Sequence, residues 1–119
     1  MKRIFIKGAI FASILLGLGI TANAQRVLGG YQSKAVDDKE VTAAADFAVS
    51  KRTETNSEQE GLELVSIDKA ESQVVAGINY RLCLTVSLDD EQQQVQVVVF
   101  KSLKGEYSLK SWEPKDCSK

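Results

Sequence analysis

Histidine is absent from the 119 residues. That absence removes the usual imidazole base, the commonest zinc ligand and every Ser-His or Cys-His catalytic pair. No cluster of metal-ligating residues and no glycine-rich phosphate loop replaces it, so an enzyme would have to work with carboxylates scattered over solvated surface. No cofactor is expected. A basic excess is lacking too: fifteen Lys and Arg stand against sixteen Asp and Glu, which weighs against nucleic acid or an anionic membrane as partner. Internal repeats and linkers are missing, and this leaves one domain. Cysteine occurs only twice, at Cys83 and Cys117.

The first residues read as a targeting segment. Met1, Lys2, Arg3 and Lys7 are followed by a nearly continuous apolar run from Ala9 to Ile20 and by Ala22-Asn23-Ala24, a small-x-small cleavage site. Residues 1–24 are therefore expected to be a secretory signal peptide. The alternative, a membrane anchor, asks for a longer run. No Cys follows the run, which argues against a lipid-anchored product. Removing these residues leaves residues 25–119 with a net charge of −4 and enough chain for one modest core. Secretion and a periplasmic location both fit. In an oxidising compartment Cys83 and Cys117 are expected to pair, closing a loop worth roughly 3–4 kcal/mol; two free thiols are the alternative.

The remaining pattern is α+β. Residues 25–35 form an extended arm with Gly29-Gly30 as its joint. Asp37 and Asp38 are N-cap candidates for a helix over 38–53, whose stripe of Val41, Ala44, Ala45, Ala48 and Val49 is mostly small, with Phe47 at its edge. Residues 53–61 read as a loop. From Leu62 the apolar spacing moves towards two, with a phase change near Leu64 and Val65 that suggests a bulge. Tyr80, Leu82, Leu84 and Val86 then point one way, while Arg81, Cys83 and Thr85 point the other. Residues 89–93 read as a solvated connection, Val95–Phe100 as a strand, Ser102–Gly105 as a turn, and Tyr107, Leu109 and Trp112 as a last strand ended by Glu113-Pro114. One helix laid across an antiparallel sheet of four strands, or five with the arm, follows from this order.

In such a meander every second turn falls at the same end of the sheet. The stretch QVVAG, Gln73 to Gly77, and the turn at Ser102 and Leu103 are thus expected to be neighbours. QVVAG lacks the Asn-Gly or Asp-Gly of an ordinary hairpin and carries an apolar centre instead.

This organisation resembles the cystatin family of papain-like cysteine protease inhibitors. VLGG at 27–30 looks like the family's glycine hinge, and ADFAVS at 45–50 is similar to the Ala-x-Phe-Ala-Val helix motif typical of plant members. LELVSIDKAESQVVAGINY at 62–80 follows the second strand, the Gln-x-Val-x-Gly loop and the third strand without a gap. VFKSLKG at 99–105 looks like the second loop of the stefin branch. The resemblance implies a reversible inhibitor that inserts a three-part wedge into a protease cleft: Val27, Leu28, Gly29 and Gly30 of the arm; Gln73, Val74, Val75, Ala76 and Gly77 of the first loop; and Ser102 and Leu103 of the second. Ala76 and Gly77 are expected to let the backbone approach the protease closely, so that Gly77→Glu should act on binding rather than on stability. Leu103 stands where plant and extracellular animal members carry Trp. Trp112, by spacing, belongs to core or sheet cover. If Cys83 and Cys117 pair, the bond ties the C-terminal tail across the outer sheet face. Asn56 lies in the region through which some cystatins inhibit legumain-type proteases, with a solvated loop residue as the plainer reading. A monomer is expected, with exchange of the helix and first strand between chains as the alternative. The competing function is an exported, non-inhibitory binding module on the same fold.

Overall fold

The computed structural model describes residues 30–118, so the expected signal peptide and Val27, Leu28 and Gly29 lie outside the described residues. Within them the order is β1 (Gln32–Ser33), α1 (Lys39–Thr55), a 3-10 turn (Ser57–Gln59), β2 (Glu63–Val75), β3 (Gly77–Leu88), β4 (Glu91–Lys101) and β5 (Tyr107–Pro114). The strands form one antiparallel sheet in the order β1-β2-β3-β4-β5. Every one of these elements lies between Gln32 and Pro114.

Helix α1 follows the cap residue Asp38, whose extended backbone offers its carbonyl to the Thr42 amide at 2.9 Å. Its inward stripe is Val41, Ala44, Ala45, Ala48 and Val49, all buried. Three alanines on that stripe let the helix axis lie close to the sheet, and the larger volume comes from the strands instead. Leu82 and Leu84 of β3 and Val95, Val97 and Val99 of β4 are fully buried beneath it. Phe47 stacks on Tyr107 of β5 at 5.4 Å between ring centroids, and Arg52 lies over the Trp112 ring at 5.3 Å. Trp112 is thus partly buried cover for the core.

Three differences from the sequence reading have physical causes. The expected connection at 89–93 shrinks to Asp89-Asp90, both with positive φ, and β4 starts at Glu91, so Gln92, Gln93 and Gln94 pair with Ser87, Val86 and Thr85. A two-residue turn of the type I′ kind needs left-handed backbone at both positions, and Asp tolerates it. Polar composition alone had hidden the strand. The stretch expected to be a loop at 53–61 is divided between the last helical turn and the 3-10 turn, where Asn56 Oδ1 accepts the Glu58 amide at 3.2 Å. In β2 the register shifts twice, between Leu64 and Ser66 as the phase change implied, and again between Ile67 and Lys69. The second shift turns Asp68 towards Ser66, Thr85 and Gln94, whose side chains donate to its carboxylate at 2.7, 2.6 and 2.8 Å.

The face of the sheet away from the helix is held by polar and covalent links. Cys83 is bonded to Cys117 across 34 residues of sequence. The tail that carries Cys117 is also laced to β4: the Lys115 amide donates to the Gln94 carbonyl at 3.0 Å and the Cys117 amide to Gln94 Oε1 at 2.9 Å. Partial burial alone would raise the Asp68 carboxyl, but its three donors hold it below the ordinary carboxylate range; hydrogen bonding to Arg81 does the same for Glu71.

Two outcomes follow from this face. Replacing both cysteines by serine should lower the unfolding free energy by about 3–4 kcal/mol in a urea titration, the entropy of releasing a loop of this length; a loss under about 1 kcal/mol would assign the tail's attachment to its hydrogen bonds. Because the folded-state carboxyls of Asp68 and Glu71 are depressed, their contribution is complete above the ordinary carboxylate range and is lost as pH falls through their folded values. The melting temperature should therefore drop on acidification from about pH 5 to about pH 2, and Asp68→Asn should lower it at neutral pH while shrinking that drop.

Candidate functional site

Two hairpin ends project side by side from one end of the sheet. The first is tighter than a loop. Gln73, Val74 and Val75 are strand residues paired with Asn79, Ile78 and Gly77, so Ala76 alone lies outside the ladder. At its base Asn79 Nδ2 donates to Gln73 Oε1 at 3.1 Å. Pairing carried to the tip leaves Val74 73% and Val75 45% exposed on a backbone with little freedom left to lose.

The second end, between β4 and β5, is organised by Ser102. Its hydroxyl accepts the amides of Lys104 and Glu106 at 3.2 and 3.1 Å, and its own amide donates to the Glu106 carbonyl at 2.8 Å. Gly105 completes the turn at φ +88°. Leu103 is left at the tip, 84% exposed. Ser102 thus builds the turn that presents Leu103. Between the two ends lies a shallow, mainly apolar depression bordered by Val74, Val75, Ile78, Ser102 and Leu103.

Gly77 requires a correction. It is buried, not displayed at the tip. Its φ is +126°, and a Cβ there would stand 2.5 Å from the Lys101 carbonyl oxygen and 2.6–2.7 Å from the Phe100 ring. The close approach it permits is to the chain's own β4. The expectation that Gly77→Glu would spare stability therefore fails, because any side chain meets backbone that cannot step aside.

Lys101 joins this end to the helix. Its ammonium pairs with Glu40 in the first helical turn at 2.7 Å and lies 5.6 Å from the Tyr107 ring. The hydrogen bond to Lys101 lowers the Glu40 carboxyl and raises the Lys101 ammonium in return. No sequence pattern announced this pair. Of the arm residues expected in the wedge, only Gly30 is described, as an exposed bend residue. Asn56 is half-buried and committed to capping the 3-10 turn.

Nothing at this end is built for bond-making chemistry. Among the described residues no group of His, Cys, Asp or Glu is arranged to hold a metal ion, and the exposed tips are aliphatic. Two apolar points flank a shallow depression. A family model described as aspartic acid proteinase inhibitor, SQAPI, matches residues 33–115. The chain belongs to this family. As a member of the aspartic acid proteinase inhibitor family it is a protease inhibitor and not an enzyme, and the matched family is neither the plant cystatins nor the stefins. U7-hexatoxin-Hi1a from Hadronyche infensa is 37% identical over 76 residues, 63% of this chain and 72% of that protein. Among solved structures, the salivary cystatin of the soft tick Ornithodoros moubata superposes with a TM-score of 0.60 at 20% identity, covering 74% of this chain and 98% of that one. Al-CPI gives 0.60 at 20% identity, covering 73% and 100%. The fold is cystatin-like.

The geometry at Gly77 sets a measurable expectation for this family member. Gly77→Ala should cost about 1–3 kcal/mol of unfolding free energy, from positive φ and the contact with Lys101. Ala76→Glu, at an exposed position, should change it by less than about 0.5 kcal/mol. Equal stabilities for the parent and the Gly77 variant would remove the packing role assigned to that glycine.

Proposed function

We propose that the chain is an exported, reversible inhibitor of papain-like cysteine proteases that acts by inserting a wedge into the active-site cleft. The wedge consists of the Gln73–Gly77 hairpin, the Ser102–Leu103 turn and the arm residues Val27, Leu28, Gly29 and Gly30. The observation that carries this reading is the clustering of Val74, Val75 and Leu103, three of the exposed large aliphatics, at one end of one sheet. Aliphatic tips lose water at low cost. Gln73 adds hydrogen-bonding capacity without a charge to desolvate. Gly77 and Ser102 act from behind, holding the two points in place. The disulfide suits an oxidising compartment, and the protein acts as a monomer.

A second reading concerns the target. The family's description favours an aspartic protease, for which a pepsin-like enzyme serves as probe, and an apolar, non-reacting wedge does not itself read the chemistry of the catalytic group. Residues 25–119 should be titrated against papain and against a pepsin-like enzyme, each at its working pH. Inhibition of papain alone supports the first reading, and inhibition of the pepsin-like enzyme alone replaces it with the second. Inhibition of neither by a folded sample favours the non-inhibitory binding module.

Against the enzyme that responds, Ala76→Glu should raise the inhibition constant by roughly two orders of magnitude, since a charge would be buried without a partner. Leu103→Trp should lower it about fivefold through added apolar contact. Unchanged inhibition by a folded Ala76→Glu variant would sink the wedge, and weaker binding by Leu103→Trp would mean that the second turn stands elsewhere in the complex.

A further inference from the structure

On the outer face of the sheet one cross-strand row holds Lys69 of β2, Cys83 of β3 and Gln96 of β4. The tail after β5 returns to this row at the Cys83–Cys117 bond, and Lys69, Lys115 and the two cysteines line a cleft of about 230 Å³. Arg81 forms a further wall. Its Nε donates to Glu71 Oε1 at 2.8 Å and its guanidinium lies 3.9 Å from the centroid of the Tyr31 ring, so its charge is largely answered from within the chain. Lys69 and Lys115 are exposed, and among the described residues neither ammonium enters an ion pair. Asp68, which borders a neighbouring hollow with Lys69 and Cys117, is turned to Ser66, Thr85 and Gln94. The cleft is thus cationic on a chain whose net charge is −1. The two sulfurs differ in access, since Cys83 is 3% exposed and Cys117 is only half-buried.

We propose that this cleft is an exchange site for small thiols that carry carboxylates, which attack the Cys83–Cys117 bond at Cys117. The incoming thiolate forms a sulfur–sulfur bond to Cys117 Sγ, the bond between the cysteines breaks, and its electron pair leaves on Cys83 Sγ, which then takes a proton from water. A second thiol of the same kind, attacking the sulfur of the first, frees Cys117 and departs as the oxidised dimer of the small thiol. Two features of the cleft favour the first step. Its ammonium groups raise the local concentration of an anionic thiol. Lys69, directly across the ladder from Cys83, steadies the departing thiolate, and a better leaving group speeds exchange. Burial of Cys83 directs the attack to the accessible sulfur. The tail keeps its place after the bond opens, because the Lys115 amide still donates to the Gln94 carbonyl and the Cys117 amide to Gln94 Oε1. Cys83 is therefore held within reach to displace the small thiol and close the bond again. This site does not depend on the wedge reading.

The test uses the full chain in its oxidised form, with glutathione as probe and glutathione diethyl ester as the same thiol without free carboxylates. At matched thiolate concentration and low salt, glutathione should open the bond about tenfold faster than the ester. Peptide mapping after alkylation should find glutathione on Cys117 and the alkyl label on Cys83. Lys69→Gln combined with Lys115→Gln should bring the two rates to within about twofold of one another, and so should high salt on the parent chain. Equal rates for the two thiols on the parent, glutathione found on Cys83, or a preference that survives the double substitution would each overturn the site. A bond that resists both thiols in the folded chain and opens only in urea would do so as well, leaving the disulfide as a structural tie.

Discussion

The missing side chain at Gly77 is the constraint on which the functional end depends. A β-carbon there would fall 2.5 Å from the Lys101 carbonyl, so the two hairpins can lie this close only if one of them carries glycine at the crossing point. From that contact the rest follows in order. β3 can turn out of β2 after one unpaired residue, Lys101 can keep its place in the ladder opposite Ile78, and its ammonium is left free to reach Glu40 on the helix. The helix is then tied at its first turn to the same end that presents Val74, Val75 and Leu103. A local absence of volume becomes a fixed distance between two apolar tips.

The two faces of the sheet are stabilised by different means. The helix side holds the apolar core, with alanines where the helix must come close and leucine and valine where the strands can fill volume. The outer side, with no helix upon it among the described residues, relies on directional links: the Asp68 acceptor site, the Arg81–Glu71 pair and the Cys83–Cys117 bond. A small domain gains little from burial alone, which gives the covalent tie its weight. Three of the exposed aliphatics, Val74, Val75 and Leu103, gather at the sheet's end, while Val65 stands exposed on the part of β2 that β1 does not cover.

Much of this was legible in the sequence where periodicity speaks directly. The helix declared itself through Val41, Ala44, Ala45, Ala48 and Val49. The alternation from Tyr80 to Val86 put Cys83 on the outer face, where its bond to Cys117 lies. What stayed hidden depends on partners distant in sequence. The Gln92–Gln94 segment looks like loop because its side chains are polar, yet its backbone is paired by the strand beside it. Gly77 reads as a display glycine because no local pattern reports what a β-carbon would meet. Ser102 reads as a contact residue for the same reason, although its hydroxyl is spent on the turn's own amides. Arg81 and Tyr31 are fifty residues apart in sequence, and nothing in either neighbourhood names the other.

The same logic bears on how a cystatin-like chain can belong to an aspartic proteinase inhibitor family. A wedge that inhibits by occupying a cleft makes no bond to the catalytic group, so its apolar tips do not distinguish a thiolate from a carboxylate dyad. Discrimination must come from the width of the cleft and from what stands at its rim. On the wedge reading, tip spacing, set here by the contact between Gly77 and Lys101, is the feature that would read those differences.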